Sequence, residues 1–377
     1  MVSLGGEEQR GRPRDLPAHV FDDLRINDHL VRLVLDTGST HSVLFRSAAA
    51  RLKLSCLPIT GEARSSKEKG RLLGHTGVLQ VLGPGDTMPV PIDFALFDFP
   101  LEPDGYDGLL GWSVLKHAVL SLDWENRRFV LSQAVPEEVQ AAWTAWPLSP
   151  GAEVARLEPG IGEVNGSSIA LATGGDFGVH LSPRRWEAWR EAHPEIPETL
   201  EAMSSSCGVV VRRCALADTW TAGQVELHNV LVSPDPDLPA LEVALGLQAM
   251  KQFNMALDGP NRKLYVQRRR VHPPDDYNKI GAVFVPSKAG SDALLAEVLE
   301  GSPAWRAGIR PGDGLLRIGD LDVTKWKTDP RVLPLARFWN GRMGGRQVLT
   351  LVREGKTFEA AVPLEDLFKK SADVPTP

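Results

Sequence analysis

Apolar and polar positions alternate in short runs along most of the chain, and turn residues cut the runs at close intervals. This predicts strands and tight turns in preference to long helices. Two of the runs are nearly interchangeable. LVLDTGSTHSVLF carries Asp36-Thr37-Gly38-Ser39, and IALATGGDFGVHLS carries Ala172-Thr173-Gly174-Gly175, an offset of 136 positions. In each, a strand-like alternation runs into a Thr-Gly turn and then resumes apolar. A helix is predicted after both: over Ala48 to Leu54 after the first, and after the second behind Ser182 as N-cap and Pro183 as first-turn residue, ahead of Trp186 and Trp189.

A second pair of segments repeats at almost the same spacing. Gly111-Trp112-Ser113-Val114-Leu115-Lys116 leads to Leu122-Asp123 and Asn126-Arg127, and Gly246-Leu247-Gln248-Ala249-Met250-Lys251 leads to Leu257-Asp258 and Asn261-Arg262, an offset of 135. Each reads as a strand, a Gly, a short helical turn, a strand, a tight turn around Asn and a last strand, Arg128 to Leu131 or Lys263 to Val266. The first 270 residues are therefore one unit used twice. Beyond a basic, Pro-rich joint from Arg268 to Pro274 the pattern changes. Lys279 to Phe284 and Leu294 to Leu299 alternate, the turn elements Gly301-Ser302-Pro303-Ala304, Ala307-Gly308-Ile309, Gly312-Asp313 and Ile318-Gly319 follow, and a hairpin closes the segment with Val348 to Val352 and Phe358 to Val362 around Glu354-Gly355.

Composition narrows this picture. With 42% hydrophobic and 24% charged residues in 377, the chain is globular and too long for one ordinary core. A net charge of −6 and the lack of a sustained Lys/Arg block leave no electrostatic footprint for nucleic acid, and Arg268-Arg269-Arg270 reads as a solvated linker face. No apolar run is long enough to span a bilayer, and the N-terminal residues lack a signal core. The chain is expected to be soluble, either cytoplasmic or a processed periplasmic or extracytoplasmic form. Cys56, Cys207 and Cys214 are too few for a disulfide scaffold; Cys207 and Cys214 either bridge a hairpin or stay unpaired. No metal-ligand spacing, Gly-x-Ser-x-Gly elbow or glycine-rich nucleotide turn occurs, so no cofactor and no metal is expected.

An apolar pair followed by Asp36-Thr37-Gly38, with Asp107-Gly108-Leu109-Leu110-Gly111 about 70 residues later, resembles a lobe of the pepsin-like and retropepsin-like aspartic peptidases, and the duplication resembles their bilobal members. The C-terminal succession looks like a bacterial-type PDZ domain. The resemblance implies a mostly β chain. It would have two pseudo-twofold-related lobes at 1–135 and 136–270, a linker at 271–279, a PDZ-like β-sandwich or partly open barrel at 280–366 and a tail at 367–377. The implied substrate is a peptide or unfolded protein, with a C-terminal peptide as a further ligand of the PDZ-like part, held by a loop at Gly281, Ala282, Val283 and Phe284; the alternative for that part is a packing domain with a blocked groove. A monomer is expected.

The chemistry of that family needs two carboxylates about 3 Å apart, which cannot both ionise and so supply an acid and a base around one water. Asp36, Thr37, Gly38 and Ser39 match the first loop, with the two Thr hydroxyls implied to brace the loops and Ser39 to bond the outer oxygen of Asp36. In the second loop Thr173 and Gly174 match, but Ala172 stands where the partner Asp belongs, and a methyl group moves no proton. Hydrolysis is expected to be feeble or absent. Three readings of Ala172 stay open: a deliberate silencing substitution, a natural pseudoenzyme that kept its groove, and rescue by Asp176 or by Asp36 of a second chain. A flap hairpin is expected within Lys69 to Val81 with His75 near its tip and without the pepsin-like tyrosine. Its counterpart is expected over Cys207 to Trp220, and Trp112 is expected in packing.

Overall fold

The structure, a computed structural model of the chain, describes residues 2–4, 20–58, 71–83, 89–98, 105–124, 128–164, 167–205, 208–238, 242–269, 277–287, 292–329, 331–332, 335–340 and 344–368. Lys69 and Gly70 of the expected flap, Asn126 and Arg127, Cys207, the joint from Arg270 to Pro274 and the end of the tail lie outside the described residues. Contacts divide the chain into two compact bodies. The first comprises Met1–Arg185, Thr219–His228 and Asp235–His272, and the second Trp186–Asp218, Asn229–Pro234 and Pro273–Pro377.

The chain begins with β1 (Val2–Leu4), β2 (Val20–Ile26), β3 (His29–Asp36), β4 (Val43–Phe45), α1 (Arg46–Arg51), β5 (Arg71–Leu82), β6 (Val90–Asp98), β7 (Gly108–Gly111), α2 (Trp112–Leu115), β8 (Val119–Asp123) and β9 (Arg128–Ser132). It continues through α3 (Glu137–Ala142), β10 (Thr144–Pro147), β11 (Glu163–Val164), β12 (Ser167–Leu171), β13 (Val179–Leu181), α4 (Pro183–Ala192), β14 (Glu198–Ser205), β15 (Gly208–Ala222), β16 (Val225–Pro234) and β17 (Val243–Leu245). Then follow α5 (Leu247–Met250), β18 (Phe253–Asp258), β19 (Lys263–Arg268), β20 (Ala282–Pro286), β21 (Leu294–Val298), α6 (Pro303–Arg306), β22 (Gly314–Ile318), β23 (Leu321–Asp322), β24 (Arg346–Arg353) and β25 (Lys356–Pro363). The molecule is mostly β, as the alternation predicts.

In the first body β2-β3-β7-β4-β6-β5 close a barrel. Its central strand β3 pairs in parallel with β7, Leu33 opposite Gly108 through Asp36 opposite Gly111. Val31, Leu33, Val34 and Leu35 are all buried, so β3 is covered on both faces as a parallel strand requires, and its continuous apolar run follows from that. A second parallel pair, β12 with β17, sets Ile169 opposite Val243 and Leu171 opposite Leu245. In a six-stranded sheet, β1-β9-β8-β18-β19-β10, β8 and β18 pair antiparallel from Val119 opposite Asp258 to Leu122 opposite Met255.

Helix α1 starts and ends earlier than the predicted 48–54; its end at Arg51, with Leu52 as C-cap, is set by Lys53, whose left-handed φ of 54° is not helical. α4 begins at Pro183, whose fixed φ suits the first helical turn. In the second body β20-β21-β22-β24-β25 form a sheet to which β23 adds at β22, around a core that includes Ile280, Ala282, Phe284, Ile309, Leu349, Leu351 and Val362. The antiparallel hairpin of β14 and β15, Glu198 opposite Ala215 through Ser205 opposite Gly208, belongs to the same body.

Candidate functional site

β3 and β12 each deliver a Thr-Gly turn, and four hydrogen bonds tie the two turns to each other. Thr37 Oγ1 donates to the carbonyl of Leu171 (2.6 Å) and accepts from the N–H of Thr173 (3.2 Å). Thr173 Oγ1 donates to the carbonyl of Leu35 (2.7 Å) and accepts from the N–H of Thr37 (3.1 Å). Both hydroxyls are buried, Thr37 at 0% exposure and Thr173 at 2%, so each bond replaces water that cannot enter. The turns are pinned from behind as well: Trp112 N–H donates to Ser39 O, and Ala172 N–H donates to Leu245 O.

The brace brings positions 36 and 172 to the same place. A Cβ on Gly38 would lie 2.8 Å from the Ala172 methyl carbon, and one on Gly174 would lie 2.6 Å from Asp36 Oδ2, closer than real Cβ atoms come. Only glycine lets each turn lie against the residue that begins the other. Gly174→Ala is therefore expected to destabilise the chain by about 1–3 kcal/mol, the usual range for overpacking, and a urea midpoint no lower than that of the parent would contradict it.

The Asp36 carboxyl accepts from the N–H groups of Gly38 (2.8 Å) and Gly174 (3.3 Å) through Oδ1. Burial nonetheless pushes its pKa above the ordinary carboxylate value, against the lowering effect of the N–H groups of Gly38, Gly174 and Ser39. Folded Asp36 thus holds its proton more tightly than unfolded Asp36. Its contribution to stability is full below the unfolded pKa and is lost as pH rises through the folded value. Asp36→Asn keeps an acceptor for both N–H groups and removes the ionisation. Its melting temperature is expected to exceed the parent's by about 2 °C or more at pH 7, with the difference gone near about pH 3. A lower melting temperature at pH 7 would contradict the burial argument.

Several expected residues take other places. The Ser39 hydroxyl donates to His41 O (2.9 Å), closing a short local turn, so it is the Ser39 backbone N–H that serves Asp36. Asp176 is 63% exposed and pairs with Lys251 (3.3 Å), a surface role, whereas Asp36 is buried. His75 lies inside β5 opposite Ala95, its Nδ1 2.9 Å from Asp93 Oδ2, because the turn of that hairpin falls between Val81 and Val90. The backbone of His75 also exchanges two hydrogen bonds with Leu57, and the segment that links this pair, 59–70, lies outside the described residues. Trp112 is buried, in line with packing, and Cys214 is a buried thiol whose pKa burial pushes well up.

Two neighbours were not singled out by sequence. Tyr106 stacks obliquely on Phe45 (centroids 5.8 Å), and burial together with the charge of Asp36 raises its phenol pKa. Its only signal is an aromatic residue just ahead of the strand that pairs with β3. Phe177 lies flat on His180 (3.5 Å, 8°), and His180 Nδ1 lies 3.1 Å from Asp235 Oδ2 beneath the second turn. In the second body Gly281 adopts φ +66°, while Ala282, Val283 and Phe284 are buried at 0%, 4% and 4% exposure. Among the described residues no group of three or more His, Cys, Asp or Glu could hold a metal ion, and no helix is long and apolar enough to cross a membrane.

Residues 23–114 match the family model described as aspartyl protease. That match, over a segment that includes β3, Asp36 and β7, supports an aspartic-peptidase-like domain and, at a coarse level, a peptidase-like function. No curated protein matches the chain.

Proposed function

We infer that this chain is an aspartic-peptidase scaffold of the bilobal type whose cleft takes extended peptide, and that Ala172 leaves it with one of the two carboxylates hydrolysis needs. The observation that carries this reading is the reciprocal Thr37–Thr173 brace, which sets position 172 against Gly38 and position 36 against Gly174. Residue by residue, the two turns are counterparts, which also favours a pseudo-twofold relation between the lobes. The parallel pairs β3–β7 and β12–β17 add to it.

With a carboxylate at both positions, one would take a proton from a water and the other would give a proton to the scissile carbonyl oxygen. With Asp36 alone, a water can be bound and even partly activated, but nothing returns a proton to the carbonyl oxygen in the same site. The reading of the chain as a peptide-binding pseudopeptidase keeps its place beside the first, because the brace, Gly38 and Gly174 are all retained around a position that has lost its chemistry. The C-terminal body is read as a PDZ-like module on its Gly-Ser-Pro-Ala turn, its Gly-Asp turn and its closing hairpin. Restoring a carboxylate at 172 and assaying unfolded casein separates the two: cleavage that depends on Asp36 supports the peptidase reading, and no cleavage under any condition leaves the binding role.

A further inference from the structure

The loop from Tyr277 to Gly281 leads into β20, the terminal strand of its sheet and the strand that a docking peptide would extend. For that loop to hold a terminal carboxylate its N–H groups must be free. They are not. The N–H groups of Ile280 (3.0 Å) and Gly281 (3.1 Å) both donate to Asn278 Oδ1. Asn278 Nδ2 donates in turn to Ala282 O (2.8 Å) and to Leu200 O (2.8 Å), and Thr199 Oγ1 donates to Asn278 O (2.9 Å). The amide of Asn278 therefore makes all four bonds open to it, two accepted and two donated. Two of the partners in this cluster, Thr199 and Leu200, belong to β14.

Burial on β20 points the same way. Ile280, Ala282 and Phe284 share the face that packs into the core of the second body, while Val283, on the alternate position, faces away from it and is still only 4% exposed. β14 approaches β20 from another sheet, and it too is the terminal strand of its own sheet. Thr199 is 0% and Leu200 7% exposed. Gly281 takes a left-handed φ and lies close to Ser302, the residue before α6, where a Cβ would come within 2.4 Å, so the loop has room only for glycine at this position.

We propose that β14 is the built-in occupant of β20: through Asn278 it closes the loop that would take a peptide terminus, so that the C-terminal body braces its own chain's hairpin in place of receiving a foreign peptide. The strand-addition geometry rests on the module reading given above, while the occupancy rests on the Asn278 bonds, the burial of β20 and the approach of β14 to it.

The test uses the full chain carrying Thr199→Val and Leu200→Asp, which weakens β14 and leaves Asn278 in place, with a fluorescein-labelled peptide of residues 197–205 as probe. Amide exchange at Ile280 to Phe284 is expected to quicken by about tenfold or more relative to the parent, with exchange in β3 unchanged. The peptide is expected to bind the variant at least about tenfold more tightly than the parent, whose site is filled. Equal binding to both chains, or unchanged exchange at Ile280 to Phe284, overturns the proposal. If the double variant also loses protection in β3, Thr199→Val alone is read in the same way, and unchanged exchange there overturns it too. Neither arm involves cleavage, so a negative result here is separate from a negative casein assay.

Discussion

Ala172→Asp is expected to raise the hydrolysis of unfolded casein by about 10²- to 10⁴-fold, the usual worth of general acid-base assistance. The Asp36 carboxyl is already pushed towards its protonated form by burial, and a second carboxyl placed against Gly38 would face it across the braced turns. Two such groups cannot both ionise, so one pKa moves further up and the other down, and the pair titrates as a unit. Activity should follow a bell on the acid side of neutrality, and adding Asp36→Asn should return it to background. The same variant should be less stable than the parent at neutral pH and recover towards acid, because the added group, raised above its unfolded pKa, contributes stability only while it keeps its proton. A casein assay from about pH 3 to pH 7 with thermal melts at each end reads both effects. Absence of cleavage across that range in a folded Ala172→Asp chain would remove the peptidase reading.

Thr37→Val is the stability counterpart, with an expected loss of about 2–5 kcal/mol. The isosteric side chain takes away one hydroxyl but leaves two buried groups without partners, the carbonyl of Leu171 and the N–H of Thr173. Thr173→Val should behave alike, since it strands Leu35 O and Thr37 N–H. The double variant should lose less than the two single losses added together, because after the first change the turns have already drifted apart and the second hydroxyl no longer has its full set of bonds to lose. Urea denaturation of the parent, both single variants and the double variant measures this coupling. A loss below about 1 kcal/mol in either single variant would mean that water reaches these groups after all.

What could be read from the chain was whatever repeats or alternates locally. The offset of 136 between the two Thr-Gly turns reappears as the sequence separation of the Thr37–Thr173 bonds, since residues in matching places of duplicated strands meet in the site. The strands Arg128 to Leu131 and Lys263 to Val266 lie within β9 and β19, where local alternation marks them. Features decided by a partner far along the chain were not legible. Nothing near His75 says that its strand runs on to Leu82 before turning. Nothing near Gly281 says that its N–H is spent on Asn278, or that Asn278 reaches Leu200, 78 positions earlier. Tyr106 escaped for the same reason: its neighbour Asp36 belongs to a strand 70 positions away (106 − 36).

The ladder between β8 and β18 carries a mechanical consequence. Val119, Leu120 and Leu122 on one side and Met255, Ala256 and Leu257 on the other are buried along a single seam. Neither strand can loosen without exposing the hydrogen-bonding edge and apolar flank of the other. On melting, β8 and β18 should accordingly be lost together in one step.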